Sequence, residues 1–193
     1  ADFVTDFAAI LPAAVIAGLL GVPATDRDQF RVWSSQLVQV DVNHGQTTDA
    51  LTAAAAIYAY FTDFLADRRK NPREDLMSAL ANATVDGVGL TDEEVLGFCA
   101  LLLVAGYETT TNLLGNSAVV LAQHRQARRR LAADRTLLGP AVEELLRYDS
   151  PAQGLSRTLT RDVILHDTTM RHGEKVLLLF GSANRDERAF PDP

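Results

Sequence analysis

The chain has 193 residues, 47% of them hydrophobic, which suffices to bury one sizeable core and is typical of an ordinary globular domain. Its 25 acidic and 18 basic residues leave a net charge of -7, which argues against a nucleic-acid partner and against an anionic membrane surface. The single cysteine cannot form a disulfide within the chain, no secretory signal is recognisable, and no apolar stretch approaches the roughly 20 residues of a membrane span. These features predict a cytoplasmic protein with no membrane partner.

Apolar residues at helical spacing predict four helices in the first 90 residues. The helices are expected at residues 6–20, 26–40, 48–69 and 75–80. Gly21 before Pro23 ends the first helix, and Asn71-Pro72 ends the third. Residues 86–89 read Asp-Gly-Val-Gly and predict a turn.

A single long helix is predicted from Thr91 to about Gln123. Its start has the form of a capping box, Thr91-Asp92-Glu93-Glu94, and no proline follows until Pro140. At 1.5 Å per residue the helix would be roughly 50 Å long. Two shorter helices are predicted at residues 125–133 and 140–148, the second with Pro140 in its first turn.

Beyond Pro151 the pattern changes to short, partly alternating apolar segments that predict strands at residues 155–159, 163–165 and 175–180. Turn residues separate them, so we expect one small β-sheet. The chain is therefore predicted to be a single domain over residues 1–193, with a helical part at 1–150 and a small β-region at 151–193. Both ends of the sequence look abrupt, and we expect the domain to be a partial one.

The middle of the long helix contains an unusual turn, Ala105-Gly106-Tyr107-Glu108-Thr109-Thr110. Glycine in a helix interior costs up to about 1 kcal/mol against alanine, and threonine is a weak helix former. A threonine hydroxyl can bond a carbonyl one turn earlier, and a missing β-carbon lets a flat ligand approach the backbone. The alternative is that Gly106 only permits close helix packing and Thr109 only bonds its own backbone. The hexapeptide alone leaves both interpretations open.

Further motifs follow in a fixed order, and together they carry a family resemblance. Downstream of the hexapeptide lie Glu144-Leu145-Leu146-Arg147, Arg147-Tyr148-Asp149-Ser150-Pro151, Ser156-Arg157 and Ala183-Asn184-Arg185-Asp186. With residues 16–23, Ile-Ala-Gly-Leu-Leu-Gly-Val-Pro, this order resembles the bacterial, actinobacterial-type cytochrome P450 family. The resemblance implies a mainly α fold with a small β-sheet, a partial cytochrome P450 fold built around one long central helix.

The resemblance also implies an activity. It is that of a haem-thiolate monooxygenase, which oxidises a small organic substrate with O₂. The electrons come from NAD(P)H through ferredoxin reductase and ferredoxin, and the cofactor is haem b.

Site residues follow from the same resemblance. It assigns Glu108 and Thr109 as the catalytic acid and alcohol, with Glu108 helping to relay protons and Thr109 stabilising the iron-bound hydroperoxide. It also places Ala105 and Gly106 beside the porphyrin. The resemblance also assigns three residues later in the chain. Arg157 would pair with a haem propionate, and Glu144 and Arg147 form a structural pair.

The sequence also departs from the family pattern. Prolines are missing after His124, Met170 and Asp186, and the glycine-rich loop that carries the iron-binding cysteine is absent. The only cysteine, Cys99, lies on the same helix seven residues before Gly106, about 10 Å along the helix axis. By the resemblance, this position is on the oxygen-binding side of the haem, opposite to the side on which the thiolate binds the iron. We therefore expect no metal ligand in this chain. A fragment of a monooxygenase is therefore predicted, and the alternative is a haem-free, non-catalytic remnant or helical interaction module.

Two other segments bear on partners. Arg125, Arg128, Arg129 and Arg130 form a basic face that an acidic redox partner could meet, although a solvated helix face is the commoner reason for such a pattern. The segment at residues 41–48, between the second and third helices, is expected from the resemblance to shape part of the substrate pocket.

Overall fold

Helices dominate the chain, as the periodic apolar residues predict. The computed structural model describes residues 1–38 and 47–193, which divide into two units, Ala1–Thr111 and Asn112–Pro193. The end of the second predicted helix at residues 39 and 40, and residues 41–46 of the predicted substrate loop, lie outside the described residues.

The first unit is built from five helices and one short hairpin, close to the predicted order. After a π-helical turn at Val4–Ala8, the elements are α1 (Ile10–Leu20), α2 (Arg27–Val38), α3 (Thr47–Lys70), α4 (Leu76–Ala81), β1 (Thr84–Val85), β2 (Val88–Gly89) and α5 (Asp92–Gln123). The boundary between the two units falls within α5, which has 32 residues. The hairpin between α4 and α5 replaces the bare turn that was predicted there.

Side-chain caps fix two helix starts. Asp75 accepts a hydrogen bond from Ser78 N at 2.8 Å and caps α4. Thr91 and Glu94 form the predicted capping box, with Thr91 N bonded to Glu94 Oε2 at 2.8 Å and Glu94 N to Thr91 Oγ1 at 3.2 Å. The start of the long helix was therefore correctly read from four residues.

A buried arginine joins the ends of three helices in the first unit. The Arg68 side chain, 2% exposed, donates from Nε to Asp75 Oδ2 and from Nη1 to Asp67 Oδ2, both at 2.6 Å. Its Nη2 donates to Gly21 O at 3.2 Å, and its guanidinium lies 4.1 Å from the Phe64 ring centre. Arg68 thus ties the end of α3 to the cap of α4 and to the residue that ends α1.

Gly21 makes this junction possible. Its backbone is left-handed, with φ of +81°, and a β-carbon there would lie 2.2 Å from Asp75 Oδ2. Both the conformation and the contact exclude a larger residue. The helix stop predicted at Gly21 is confirmed, and the structure adds the reason that glycine is needed.

Apolar side chains from all five helices form the core of the first unit. The largest that are fully buried are Leu20, Phe30, Phe61, Leu65, Met77 and Leu103. At its edge the only tryptophan of the sequence, Trp33, packs 5.8 Å from the ring of Tyr60, whose hydroxyl donates to Asp26 Oδ2 at 2.8 Å.

The second unit continues with three helices, the last of only four residues, and two antiparallel ladders. Its elements are α6 (Arg125–Ala133), α7 (Leu138–Tyr148), β3 (Leu155–Thr158), β4 (Val163–Leu165), β5 (Thr168–Met170), β6 (Lys175–Leu178) and α8 (Phe180–Ala183). The bounds of α6 and β4 are those predicted, and Pro140 lies in the first turn of α7. No residue of this unit is fully buried.

The predicted single sheet is instead two separate ladders. β3 pairs with β6 and β4 pairs with β5, both antiparallel. β5 was not predicted, because its polar Thr168-Thr169 reads as part of a turn. His166 and Asp167 have φ of 46° and 61°, the left-handed pair that a two-residue hairpin requires. Phe180, predicted in the last strand, begins α8.

Cys99 is buried in α5, with its Sγ 4.0 Å from Met77 Sδ. Burial raises the pKa of its thiol to about 11, so almost no thiolate exists at neutral pH. We expect the native chain to react negligibly with a thiol reagent such as 5,5′-dithiobis(2-nitrobenzoic acid) and the denatured chain to release one equivalent of the coloured product. Rapid stoichiometric reaction of the native chain would contradict this placement.

None of the helices in residues 1–38 and 47–193 combines the length and the apolar composition needed to cross a lipid bilayer.

Candidate functional site

The unusual turn of α5 has two faces with different surroundings. Tyr107 and Thr111 are buried in the first unit, whereas Ala105, Glu108 and Thr109 are exposed. This follows from helical geometry, because residues 105, 108 and 109 share one face and residues 107 and 111 the other. The two residues assigned as catalytic therefore lie together on an open helix face.

The hydroxyl of Thr109 donates to Ala105 O at 2.7 Å. This bond commits the hydroxyl proton to the helix and leaves the oxygen free to accept a hydrogen bond from a ligand. Glu108, beside it, forms no hydrogen bond or ion pair within the described residues. An acceptor and an unpaired carboxylate thus stand next to each other on the open face.

Gly106 allows a close contact with α1. A β-carbon on Gly106 would lie 2.9 Å from Cδ1 and 3.6 Å from Cγ1 of Ile16. The observed geometry therefore supports the packing interpretation of this glycine, since its missing β-carbon admits Ile16. A role of Gly106 beside a flat ligand stays a prediction.

Apolar side chains border the open face towards the start of α5. Leu101 is 64% exposed and Val104 is 42% exposed. Both also line a cleft of 380 Å³ between α2, α3 and α5, whose other walls include Leu37, Tyr58 and Phe61. The surface along α5 therefore changes from an apolar cleft, through the small Ala105, to a hydroxyl and a carboxylate. Sequence reasoning did not identify this cleft, because its walls come from three helices that only packing brings together.

In the second unit, Arg147 lies at the centre of a network on α7. Its Nε and Nη2 donate to the two carboxylate oxygens of Glu144 at 2.8 and 2.7 Å, and its Nη1 donates to Asn184 O at 2.7 Å. The guanidinium also lies 5.1 Å from the Phe190 ring centre. The hydrogen bonds from Arg147 lower the pKa of the Glu144 carboxyl. The predicted pair does form, and through Asn184 it holds the segment after α8 against α7.

A second arginine strengthens this junction. Arg185 donates to Tyr148 O at 2.5 Å, and its guanidinium lies 4.4 Å from the Tyr148 ring centre. The sequence contained the signal, since Arg185 belongs to the Ala183-Asn184-Arg185-Asp186 motif, but no structural role had been assigned to it. Arg185 and Arg147 together fasten the end of α7 to the segment after α8.

Arg157 lies on β3 and is exposed. Its only side-chain hydrogen bond within the described residues is from Nη1 to Ser156 O at 3.0 Å, so most of its guanidinium donors are open to an anion. It belongs to the second unit, whereas Ala105, Glu108 and Thr109 belong to the first. Its assignment to a propionate stays a prediction.

No group of three or more His, Cys, Asp and Glu side chains in residues 1–38 and 47–193 could hold a metal ion. Cys99 is enclosed by the core of the first unit and its thiol stays protonated, so it does not fit the part of an axial thiolate. The exposed methyl group of Ala105 is chemically compatible with one side of a flat, apolar ligand. A cofactor at this face stays a prediction.

Comparison with known proteins adds a consistent result. The sequence pattern described as Cytochrome P450 matches residues 39–193. Cytochrome P450 130 of Mycobacterium tuberculosis is 44% identical over 194 residues, which are 99% of this chain and 48% of that protein. Steroid C26-monooxygenase of Mycolicibacterium smegmatis is 41% identical over 195 residues, 100% of this chain and 49% of that protein.

Among solved structures, CYP109E1 from Bacillus megaterium in complex with testosterone superimposes with a TM-score of 0.93 at 39% identity. The likeness covers 100% of this chain and 52% of that one. The chain spans about half the length of the curated relatives that it matches.

Proposed function

This chain belongs to the cytochrome P450 family, and from that premise we propose that it forms part of a haem-thiolate monooxygenase that hydroxylates or otherwise oxidises a small organic substrate. The observation that carries the proposal is the open face of α5. There the Thr109 hydroxyl is bonded back to Ala105 O, Glu108 is unpaired, and an apolar cleft begins next to them. The family implies haem as the cofactor.

Each residue has a definite part in the proposed reaction. When bound, haem supplies the iron centre at which O₂ is activated. Ala105, which has only a methyl side chain, lies against the ring, and Arg157 pairs with a propionate. The Glu108 carboxylate takes up protons from solvent and relays them, and Thr109 Oγ1, whose own proton is donated to Ala105 O, accepts a hydrogen bond that holds the reacting group in place. Glu144 and Arg147 act only by holding the structure around α7.

An apolar molecule the size of a steroid is the substrate class that we favour. The walls of the cleft beside Leu101 and Val104 are almost entirely apolar, and the Tyr58 hydroxyl is the polar side-chain group among the lining residues. Relatives act on steroids or bind them, as their names state for a steroid C26-monooxygenase and a complex with testosterone.

Electron supply is the remaining part of the proposal. The family implies a redox partner, and we assign this part to ferredoxin, reduced by NAD(P)H through ferredoxin reductase. We also propose a cytoplasmic setting, because the single cysteine of the sequence is a buried free thiol, which is usual in a reducing compartment.

The proposal is tested first by sequencing the coding DNA past the codon for Pro193. An in-frame, glycine-rich loop with a cysteine is the expected result, and the encoded protein should then show thiolate-type absorption when reduced under CO. For the 193-residue chain alone we expect weak haem retention and no such absorption, because it contains no fitting thiolate. A stop codon directly after Pro193 would favour the alternative, a haem-free remnant or helical interaction module.

A further inference from the structure

A groove between α1 and α2 is lined by charged side chains that do not pair with one another. The groove has a volume of 420 Å³, belongs to the first unit and shares no residue with the open face of α5. Its walls come from the π-helical turn, α1 and α2: Thr5, Asp6, Ile10, Ala13, Ala14, Arg27, Asp28 and Arg31. No ion pair joins these arginines to these aspartates in the part of the chain that the structure describes. A groove of this volume can take a small organic molecule.

The wall formed by α2 offers hydrogen-bond donors. Arg31 is half-buried, yet its guanidinium forms no hydrogen bond or ion pair within the described residues. A guanidinium that is partly removed from water without an acceptor is unfavourable, whereas a carboxylate can bind it through two parallel hydrogen bonds. Arg27, one turn earlier, donates only from Nε, to Val22 O at 3.5 Å. Asp28 has a local role, because an acid in the first turn stabilises the start of a helix.

The wall formed by the π-helical turn offers acceptors instead. Asp2 N donates to Asp6 Oδ2 at 2.8 Å, which leaves Asp6 Oδ1 without a partner in this part of the structure. Thr5 Oγ1 donates its proton to Asp2 Oδ1 at 2.6 Å, so its oxygen can only accept a further hydrogen bond. Ile10 and Ala14 on α1 add exposed apolar surface to the groove. Donors therefore lie on one element of the groove and acceptors on another, with apolar surface beside them.

We propose that this groove binds a small zwitterion, a molecule whose carboxylate and ammonium groups are joined by a short apolar chain. Arg31 and Arg27 bind the carboxylate, and Asp6 Oδ1 and Thr5 Oγ1 accept hydrogen bonds from the ammonium group. A simple anion fits less well because two aspartates line the same groove, and a simple cation fits less well because two arginines do. Binding requires neither haem nor the open face of α5, so the proposal is independent of the proposed monooxygenase activity.

The test compares three probes of equal chain length on the 193-residue chain. The zwitterion 6-aminohexanoate has both charges, hexanoate has only the carboxylate, and hexylamine has only the ammonium group. Each is titrated at low ionic strength into the ¹⁵N-labelled chain, and dissociation constants are taken from the amide chemical shifts. We expect the shifts to concentrate within residues 5–14 and 27–31, and 6-aminohexanoate to bind at least about fivefold more tightly than either other probe.

Two variants separate the roles of the charged groups. Arg31→Gln should weaken the binding of 6-aminohexanoate and hexanoate about fivefold without weakening that of hexylamine. Asp6→Asn keeps an acceptor for Asp2 N, and it should weaken the binding of 6-aminohexanoate and hexylamine without weakening that of hexanoate. Arg128→Gln and Asp63→Asn are the matched controls, which should leave all three affinities unchanged. Both residues are exposed, unpaired in the described part of the chain and outside the groove.

The comparison of probes on the unchanged chain needs no variant, so it stands even if Arg31→Gln fails to fold. Equal affinities of the three probes, shifts that concentrate outside the groove, or no saturable binding would overturn the proposal. So would tighter binding of a blocked lysyl-alanyl-glutamyl tripeptide, because the groove would then take a protein segment rather than a small molecule.

Discussion

Replacing Arg68 with methionine should lower the free energy of unfolding by about 3–5 kcal/mol. Methionine fills a similar volume but leaves the buried Asp75 carboxylate without its cation and Gly21 O without its donor. Removing one member of a buried ion pair is costly because the remaining charge cannot return to water. The measurement is chemical denaturation of the 193-residue chain, followed by circular dichroism at 222 nm.

Arg73→Met is the matched control, because Arg73 contacts the same Asp67 at 3.8 Å but is 62% exposed. Exposed pairs contribute at most about 1 kcal/mol. The double variant Arg68→Met with Asp75→Asn should recover part of the loss, since asparagine keeps the cap of α4 without the charge. If Arg68→Met proved no more harmful than Arg73→Met, the junction between α1, α3 and α4 would not depend on this ion pair.

The same junction predicts a pH dependence. Burial raises the pKa of Asp75, but hydrogen bonds from Ser78 and Arg68 and the charge of Arg68 outweigh it, so the pKa is lowered overall. A carboxyl whose pKa is lower in the folded state stabilises the fold above its unfolded pKa of about 3.9, and this stabilisation is lost as the pH falls through the folded value. We therefore expect stability to decrease below about pH 4, and less steeply in Arg68→Met.

Thr109→Val should reduce product formation by about 100-fold or more in the whole protein that carries this chain, if the Thr109 oxygen holds the reacting group as proposed. Valine keeps the branched shape but removes the hydroxyl that is bonded to Ala105 O. Stability should change by less than about 0.5 kcal/mol, because Thr109 is exposed. Product is quantified by mass spectrometry during turnover with ferredoxin, ferredoxin reductase and NADPH.

Thr110→Val provides the control, since Thr110 is the adjacent threonine, exposed and without a side-chain hydrogen bond in the described part of the chain. It should retain most of the activity, and Thr109→Ser should retain more than Thr109→Val because it keeps a hydroxyl. Similar losses in Thr109→Val and Thr110→Val would show that the turn matters only as a structural element.

Elements with long apolar periodicity and clear stops could be predicted from the sequence. The capping box at Thr91 placed the start of α5 within one residue, and α6 was predicted with its observed bounds. β5 was missed because its polar Thr168-Thr169 reads as part of a turn, and its pairing with β4 is decided by the turn at His166-Asp167. α8 was missed because its four residues are too few to show a helical period.

Site prediction met a different limit. The sequence motif predicted Glu108 and Thr109 as site residues, and helical periodicity places both on one face of α5. The sequence could not show that Gly106 contacts Ile16, 90 residues earlier, because this contact depends on how α1 and α5 pack. Arg68 was hidden for the same reason, since an Asp-Arg-Arg-Lys sequence at a helix end is typical of a solvated surface.

The position of Trp33 determines what intrinsic fluorescence can report on this molecule. The emission comes from one indole, packed against Tyr60 between α2 and α3. Its wavelength will therefore follow solvent entry into the first unit. The second unit, which has no tryptophan and no fully buried residue, can open without changing that signal. A single fluorescence transition would thus describe half of the molecule, and an optical probe placed in the second unit is needed to observe the other half.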